Sequence, residues 1–194
     1  VPILQRIANV YKRQNNISKA KVFYQEAFDI GYDKDSLTIV SLDGLISCLW
    51  NKYDTDIILS RKIAMELYPL QKRTAEIQHK LYPRDTSKLF ERYADLASLG
   101  YTCQNEEYVE HCKKAISLAE LYKLPNFSIT IWLTCVSNSR SPYFLLGDYY
   151  LKQHDYLNAL NNYNQITLIN PNPIEFYNPD TMFIDIVNMK SLPL

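Results

Sequence analysis

Residues 143–166 read YFLLGDYYLKQHDYLNALNNYNQI, and residues 4–28 read LQRIANVYKRQNNISKAKVFYQEAF. Both stretches place apolar residues at three- and four-residue steps on each side of a short polar break. That pattern is typical of two amphipathic helices joined by a turn. The stretches share small and aromatic residues at identical gaps: Tyr11, Ala20 and Tyr24 in the first, and Tyr150, Ala159 and Tyr163 in the second. One helical hairpin therefore occurs twice in the chain.

The second copy carries further marks of a known repeat. Leu146 and Gly147 precede Tyr150, and Pro171 follows Tyr163 by eight residues. This order of Leu-Gly, aromatic, Ala, aromatic and Pro resembles a tetratricopeptide repeat. The resemblance is clear over residues 143–171.

The first copy is a degenerate version of the same repeat. Ala8 stands where the family has Gly, and Tyr32 stands where it has Pro. The resemblance is good over residues 3–32 and weak between the two copies. The small residues Ala20 and Ala159 are expected to let paired helices approach closely, with tyrosines filling the space between hairpins. Core packing is predicted for five of them, namely Tyr11, Tyr24, Tyr150, Tyr156 and Tyr163.

The resemblance implies an all-α fold, a right-handed superhelical α-solenoid of about four to five antiparallel helical hairpins. The copies lie 139 residues apart, close to four periods of about 34 residues, which leaves room for about three hairpins between them. We expect residues 1–171 to form this array. Residues 172–194 are expected to form an irregular tail with a short capping helix at 180–190.

In the central part of the chain, hydrophobic periodicity interrupted by polar or proline-containing breaks predicts five helices. They lie at 36–51, 57–68, 89–99, 108–122 and 128–136. Residues 37–42 also fit a strand, but the long flanking periodicity favours a helix. The segment 70–82, between two prolines, is either a short helix or a kinked extension of the helix before it.

Several residues predict where helices begin and end. Ser18 is a plausible N-cap for the second helix, and Gly31 stands where a left-handed residue would end that helix. Ser141 followed by Pro142 matches an N-cap with proline at the first helical position. His154 is expected to adopt the left-handed conformation in the last turn.

Composition excludes several classes of protein. The chain is 47% hydrophobic, which argues against disorder, and its 21 Lys and Arg balance 21 Asp and Glu, which disfavours a nucleic-acid partner. No apolar run is long enough for a membrane helix. No phosphate-binding loop, hydrolase elbow or zinc-protease motif is present, so no cofactor and no enzymatic activity are predicted.

The histidines and cysteines predict no metal site. His79, His111 and His154 are isolated, and the four cysteines show no C-x-x-C pair. We interpret the cysteines as reduced and mostly buried, which favours the cytoplasm. Because residue 1 is Val, a processed secreted or periplasmic chain stays an alternative.

The resemblance also implies where a partner binds. In tetratricopeptide arrays the first helix of each hairpin lines a concave groove that holds a peptide or a partner's helix. Transferred by position, the candidate partner-binding residues are Gln5, Asn9, Lys12, Arg13, Phe144, Asp148 and Lys152. An Asn can hydrogen-bond a peptide backbone, and Lys or Arg can pair with carboxylates. The family's clamp for a C-terminal carboxylate fits only in part, since Gln5 stands where Lys is needed.

Two functions follow from these observations. The first is a non-enzymatic scaffold that binds a protein or peptide partner in the concave groove. The alternative is the sensor module of a bacterial peptide-responsive regulator whose output domain lies outside this chain.

Overall fold

A computed structural model of the chain describes residues 1–31, 36–50, 57–121 and 141–169. These residues form eight helices and no strand, which confirms the all-α prediction. The helices are α1 (Pro2–Arg13), α2 (Ile17–Gly31), α3 (Ser36–Trp50), α4 (Ile57–Leu81), α5 (Thr86–Cys103), α6 (Tyr108–Leu121), α7 (Pro142–Lys152) and α8 (Tyr156–Ile169).

Consecutive helices pack in pairs, and the pairs stack on one another. The four hairpins are α1–α2, α3–α4, α5–α6 and α7–α8. Between hairpins, α2 packs on α3, α4 packs on α5, and both α5 and α6 pack on α7. The described helices therefore form an α-solenoid of helical hairpins, as the sequence predicted.

Two hairpins, not the expected three, separate the matched copies in the described part of the chain. The 25 residues of α4 take up part of the 139-residue spacing, and residues 122–140 lie outside the described part of the chain. In addition, α7 packs directly on α5 and α6, although residues 122–140 separate them in sequence.

Three of the hairpins share one turn geometry. Asn15, Gln104 and His154 have positive φ angles of 58°, 59° and 62°. In each turn the next amide donates to a carbonyl five residues earlier, over 2.8–2.9 Å. This is the left-handed helix ending that satisfies carbonyls otherwise left without a donor. The prediction for His154 is confirmed.

In the first and last hairpins, the residue after the left-handed position caps the second helix. Asn16 Oδ1 accepts from the Lys19 amide at 3.2 Å, and Asp155 Oδ1 accepts from the Asn158 amide at 3.2 Å. The prediction that Ser18 caps α2 is therefore wrong, because α2 begins at Ile17 and Asn16 already supplies the acceptor. The cap at Ser141 is confirmed, with its Oγ accepting from the Phe144 amide.

Gly31 stands at the end of α2 without the expected left-handed conformation, and Pro69 does not end a helix. Gly31 is the last residue of α2 and has no positive φ. Pro69 lies inside α4, so the segment after it is an extension of the preceding helix. Proline removes the hydrogen bond to the Met65 carbonyl. Both residues are exposed, so water can replace that bond, while buried residues on both sides of Pro69 hold the helix in one piece.

The core is divided into layers that lie between neighbouring helices. Ala8, Ala20 and Tyr24 of the first hairpin pack against Leu45 and Cys48 of α3. In the last hairpin, Ala159 and Tyr163 pack against Phe144. These small and aromatic residues confirm the packing role predicted for the repeat positions. Tyr156 is the exception at 56% exposure, and it lies at the first position of α8.

Several predictions lie outside the described residues. These are the helix at 128–136, the irregular tail at 172–194 and its capping helix at 180–190.

Candidate functional site

The first helices of the hairpins, α1, α3, α5 and α7, lie side by side and are joined by polar side chains. Lys12 Nζ donates to Ser47 Oγ between α1 and α3. Arg92 Nη2 lies 2.7 Å from Asp43 Oδ1 between α5 and α3. Tyr101 Oη donates to Asp148 Oδ2 at 2.9 Å between α5 and α7. The surface that these four helices share is called the first-helix face below.

A second polar contact repeats within the first and last hairpins. Tyr24 Oη donates to Asn9 Oδ1 at 2.7 Å, and Tyr163 Oη donates to Asp148 Oδ1 at 2.9 Å. The four residues occupy equivalent positions of the repeat. Burial raises the pKa of Tyr24, so its hydroxyl stays protonated and donates. Asn9 and Asp148 therefore help to hold their own hairpins together.

Three of the predicted partner-binding residues are buried. Gln5 is 5% exposed and donates to the Leu37 carbonyl at 2.7 Å and to Ser41 Oγ at 2.8 Å. Phe144 is 5% exposed and packs against Tyr163, and Asp148 is 4% exposed. Their environments make them packing residues, because the adjacent helix covers each one. Transfer by repeat position placed them on the open surface, and the structure corrects that placement.

The other four predicted residues keep accessible side chains. Asn9, Arg13 and Lys152 are exposed and Lys12 is half-buried. The Lys152 ammonium lies 4.9 Å from the centroid of the Tyr101 ring. Their role in partner binding stays a prediction.

Sequence reasoning missed one residue of this surface, Arg6. It lies between Pro2 and Asn9 along the exposed side of α1, and it is itself exposed. The helical spacing of Asn9, Arg13 and Arg6 was the available signal, since residues three, four and seven apart share one face of a helix.

A separate cluster joins the second helices α4 and α6. Tyr68 Oη lies 2.8 Å from Glu107 Oε2 and 3.0 Å from His111 Nε2. Lys72 Nζ donates to the same Glu107 oxygen at 2.7 Å, and the Tyr93 ring stacks on His111 with centroids 6.0 Å apart. His111 is isolated in the sequence, but in the structure it contacts Tyr68 and Tyr93.

Burial sets the protonation of this cluster. It lowers the pKa of His111 to about 4, with a smaller contribution from the Lys114 charge. Burial also raises the pKa of Tyr68, and the hydrogen bond from Lys72 lowers the pKa of Glu107. A neutral His111, a neutral Tyr68 and an ionised Glu107 suit a structural network that joins two hairpins.

The tetratricopeptide repeat family model matches the chain at residues 1–30 and 141–173. The two end hairpins of the chain therefore each match this repeat. Such repeats are typical of protein-interaction scaffolds that are not enzymes, which is the coarse function predicted from the sequence. A search of curated proteins gave no match for the chain.

Two further findings bound what the described residues can do. None of their helices is both long and apolar enough to cross a membrane. Nor do these residues include a group of three or more His, Cys, Asp or Glu side chains arranged to hold a metal ion.

Proposed function

We propose that the chain is a non-enzymatic scaffold that binds an extended peptide segment of a partner protein on its first-helix face. The observation that carries the proposal is the row of first helices, in which α1 packs on α3, α5 packs on α7, and the Arg92–Asp43 pair joins α3 to α5. The two ends of this row lie in the segments that match the tetratricopeptide repeat. Superhelical arrays use such surfaces to hold partners.

The accessible side chains supply groups for this task. Asn9 gives one lone pair of its Oδ1 to Tyr24, which leaves its Nδ2 donors for a peptide carbonyl. Arg6, Arg13 and Lys152 are exposed cations that can pair with carboxylates. Contact with a partner is not proposed for the three buried residues, Gln5, Phe144 and Asp148, which pack beneath this surface.

A peptide selection tests this function with two matched variants. The first-helix variant combines Arg6→Glu, Arg13→Glu and Lys152→Glu. The control variant makes the same charge change elsewhere, with Lys62→Glu and Lys80→Glu on α4 and Arg84→Glu in the α4–α5 turn, all of which are exposed. Circular dichroism first establishes that both variants are folded.

Peptides are selected from a phage-displayed library of random dodecapeptides with the unmodified chain. We expect the selected peptides to bind the control variant with unchanged Kd and to lose at least tenfold in affinity for the first-helix variant. Equal losses in the two variants, or no loss in the first-helix variant, would show that the binding surface lies elsewhere.

A further inference from the structure

One carboxylate beside the first-helix face, that of Asp95, is in no salt bridge with the described residues. Asp95 of α5 lies near the Arg92–Asp43 pair, and Gln71 of α4 packs against it. Its Oδ2 accepts a hydrogen bond from Gln71 Nε2 at 2.7 Å. In the described part of the chain, Asp95 forms no salt bridge.

The neighbouring cations are engaged with other carboxylates. Arg92 is only 12% exposed and pairs with Asp43, whose side chain is 43% exposed. Lys88 pairs with Glu91 at 2.7 Å. The Asp43–Arg92–Asp95 group therefore contains two carboxylates and one guanidinium.

Burial makes this imbalance costly. It raises the pKa of Asp95 to about 7, and the charges of Glu91 and Asp43 act in the same direction, while Arg92 and Lys88 oppose them. A buried charge without a partner is unfavourable, so the carboxylate must either take up a proton or gain a cation.

A second acceptor at the same place also has no donor. Gln71 is fully buried, and its carboxamide is oriented toward Asp95 by the Nε2 hydrogen bond. The Oε1 of the same carboxamide accepts no hydrogen bond from the described residues. A buried acceptor without a donor costs about 1–3 kcal/mol. A ligand that supplies a positive charge and several N–H donors would satisfy both Gln71 and Asp95.

We propose that Asp95 and Gln71, with the partly exposed carboxylate of Asp43 nearby, receive the cationic side chain of a Lys or Arg residue in the partner segment. This inference rests on the proposed function, because it assigns a chemistry to one position of the bound peptide. A side-chain cation is favoured over a metal ion because the described residues include no metal-binding group of three or more such side chains.

Small probes test the receptor without the full partner. The probes are Nα-acetyl-arginine amide, its neutral analogue Nα-acetyl-citrulline amide, and Nα-acetyl-glutamate amide. The acidic probe is included because Arg92 Nε also has no hydrogen-bond partner among the described residues. The measurement is the pH titration of the Asp95 side-chain carboxyl resonance by carbon NMR, assigned by its loss in Asp95→Asn.

We expect the arginine probe to lower the pKa of Asp95 and the citrulline probe to leave it unchanged. If the probe binds the ionised Asp95 carboxylate ten times more tightly than the protonated form, a saturating concentration of the probe lowers the pKa by about one unit. Asp29→Asn, a substitution at an exposed carboxylate of α2, should leave the effect of the arginine probe intact.

Three results would overturn the inference: no shift with the arginine probe, an equal shift with the citrulline probe, or a shift only with the glutamate probe. None of these three results would affect the conclusion of the peptide selection, which is a separate test. Conversely, the arginine probe could lower the pKa of Asp95 while the first-helix variant keeps its affinity for the selected peptides. That result would support the cation site at Asp95 and reject the first-helix face as the peptide-binding surface.

Discussion

Adding one methyl group at Gly147 should destabilise the last hairpin. A Cβ at this position would lie 2.3 Å from Tyr163 Cε1, 2.6 Å from Cδ1 and 2.7 Å from Cζ. Favourable carbon–carbon contacts begin near 3.5 Å, so the ring would have to move by about 1 Å. The ring is held in place, because its hydroxyl bonds to buried Asp148 and Phe144 packs against it.

The expected magnitude combines two opposing effects. Overpacking of a filled core costs about 1–3 kcal/mol, and a clash with three ring atoms belongs in the upper half of that range. Replacing Gly by Ala inside a helix stabilises the folded state by up to about 1 kcal/mol, because Ala has the higher helix propensity. Gly147→Ala should therefore lower the free energy of unfolding by about 1–2 kcal/mol, which corresponds to a fall of roughly 2–8 °C in Tm.

Urea and thermal unfolding followed by circular dichroism measure this loss, and Gly31→Ala is the matched control. A Cβ at Gly31 would lie 3.5 Å from Val1 Cγ2, an ordinary contact, so this change should be neutral or slightly stabilising. In a Tyr163→Leu background the cost of Gly147→Ala should shrink, because the clashing ring atoms are gone. The reasoning is refuted if Gly147→Ala behaves like Gly31→Ala, or if its cost is unchanged in that background.

Three further predictions concern caps and protonation. Asn16→Ala should lower the free energy of unfolding by about 1 kcal/mol, whereas Ser18→Ala should change it little in the same urea titration; equal effects would contradict the cap assignment. Because the pKa of His111 falls from 6.5 to about 4 on folding, the unfolded chain binds the extra proton. Stability should therefore decline as pH falls through this window, and less so in His111→Phe. The pKa of Asp95 rises from 3.8 to about 7, so its contribution to stability is lost as pH rises through 7. Asp95→Asn should consequently be more stable than the unmodified chain at about pH 8; lower stability there would show that the ionised carboxylate is well compensated.

The fold could be predicted because its signals are local. Hydrophobic periodicity and the gaps between Tyr11, Ala20 and Tyr24 define a hairpin within one short stretch of chain, and the same gaps recur at the other end. Periodicity also placed α3, α5 and α6 near their observed positions. Pro69 left two alternatives open in the sequence, a separate short helix or an extension of the preceding one. The structure has the extension, because a missing backbone hydrogen bond is a local cost that packing on both sides outweighs.

The candidate site could be predicted only in part. Position in the repeat identified Asn9 and Arg13 on an exposed side of α1, but it also selected Gln5, which α3 covers. Whether a residue of a first helix is open or covered depends on the hairpin stacked beside it. That neighbour lies more than 30 residues away in the chain, so the pattern within one repeat does not contain the answer.

The sequence by itself determined that the chain forms helical hairpins, that its two ends carry one repeated unit, and that small and aromatic residues pack within that unit. These properties follow from spacing along a helix, which each segment encodes independently of the others. Only the tertiary structure decided how many described hairpins separate the two copies and which side chains remain accessible. It alone brought Gln71 and Asp95 together beside the Arg92–Asp43 pair. The protonation of Asp95 depends on burial and on charges from other helices, and those exist only once the hairpins have stacked.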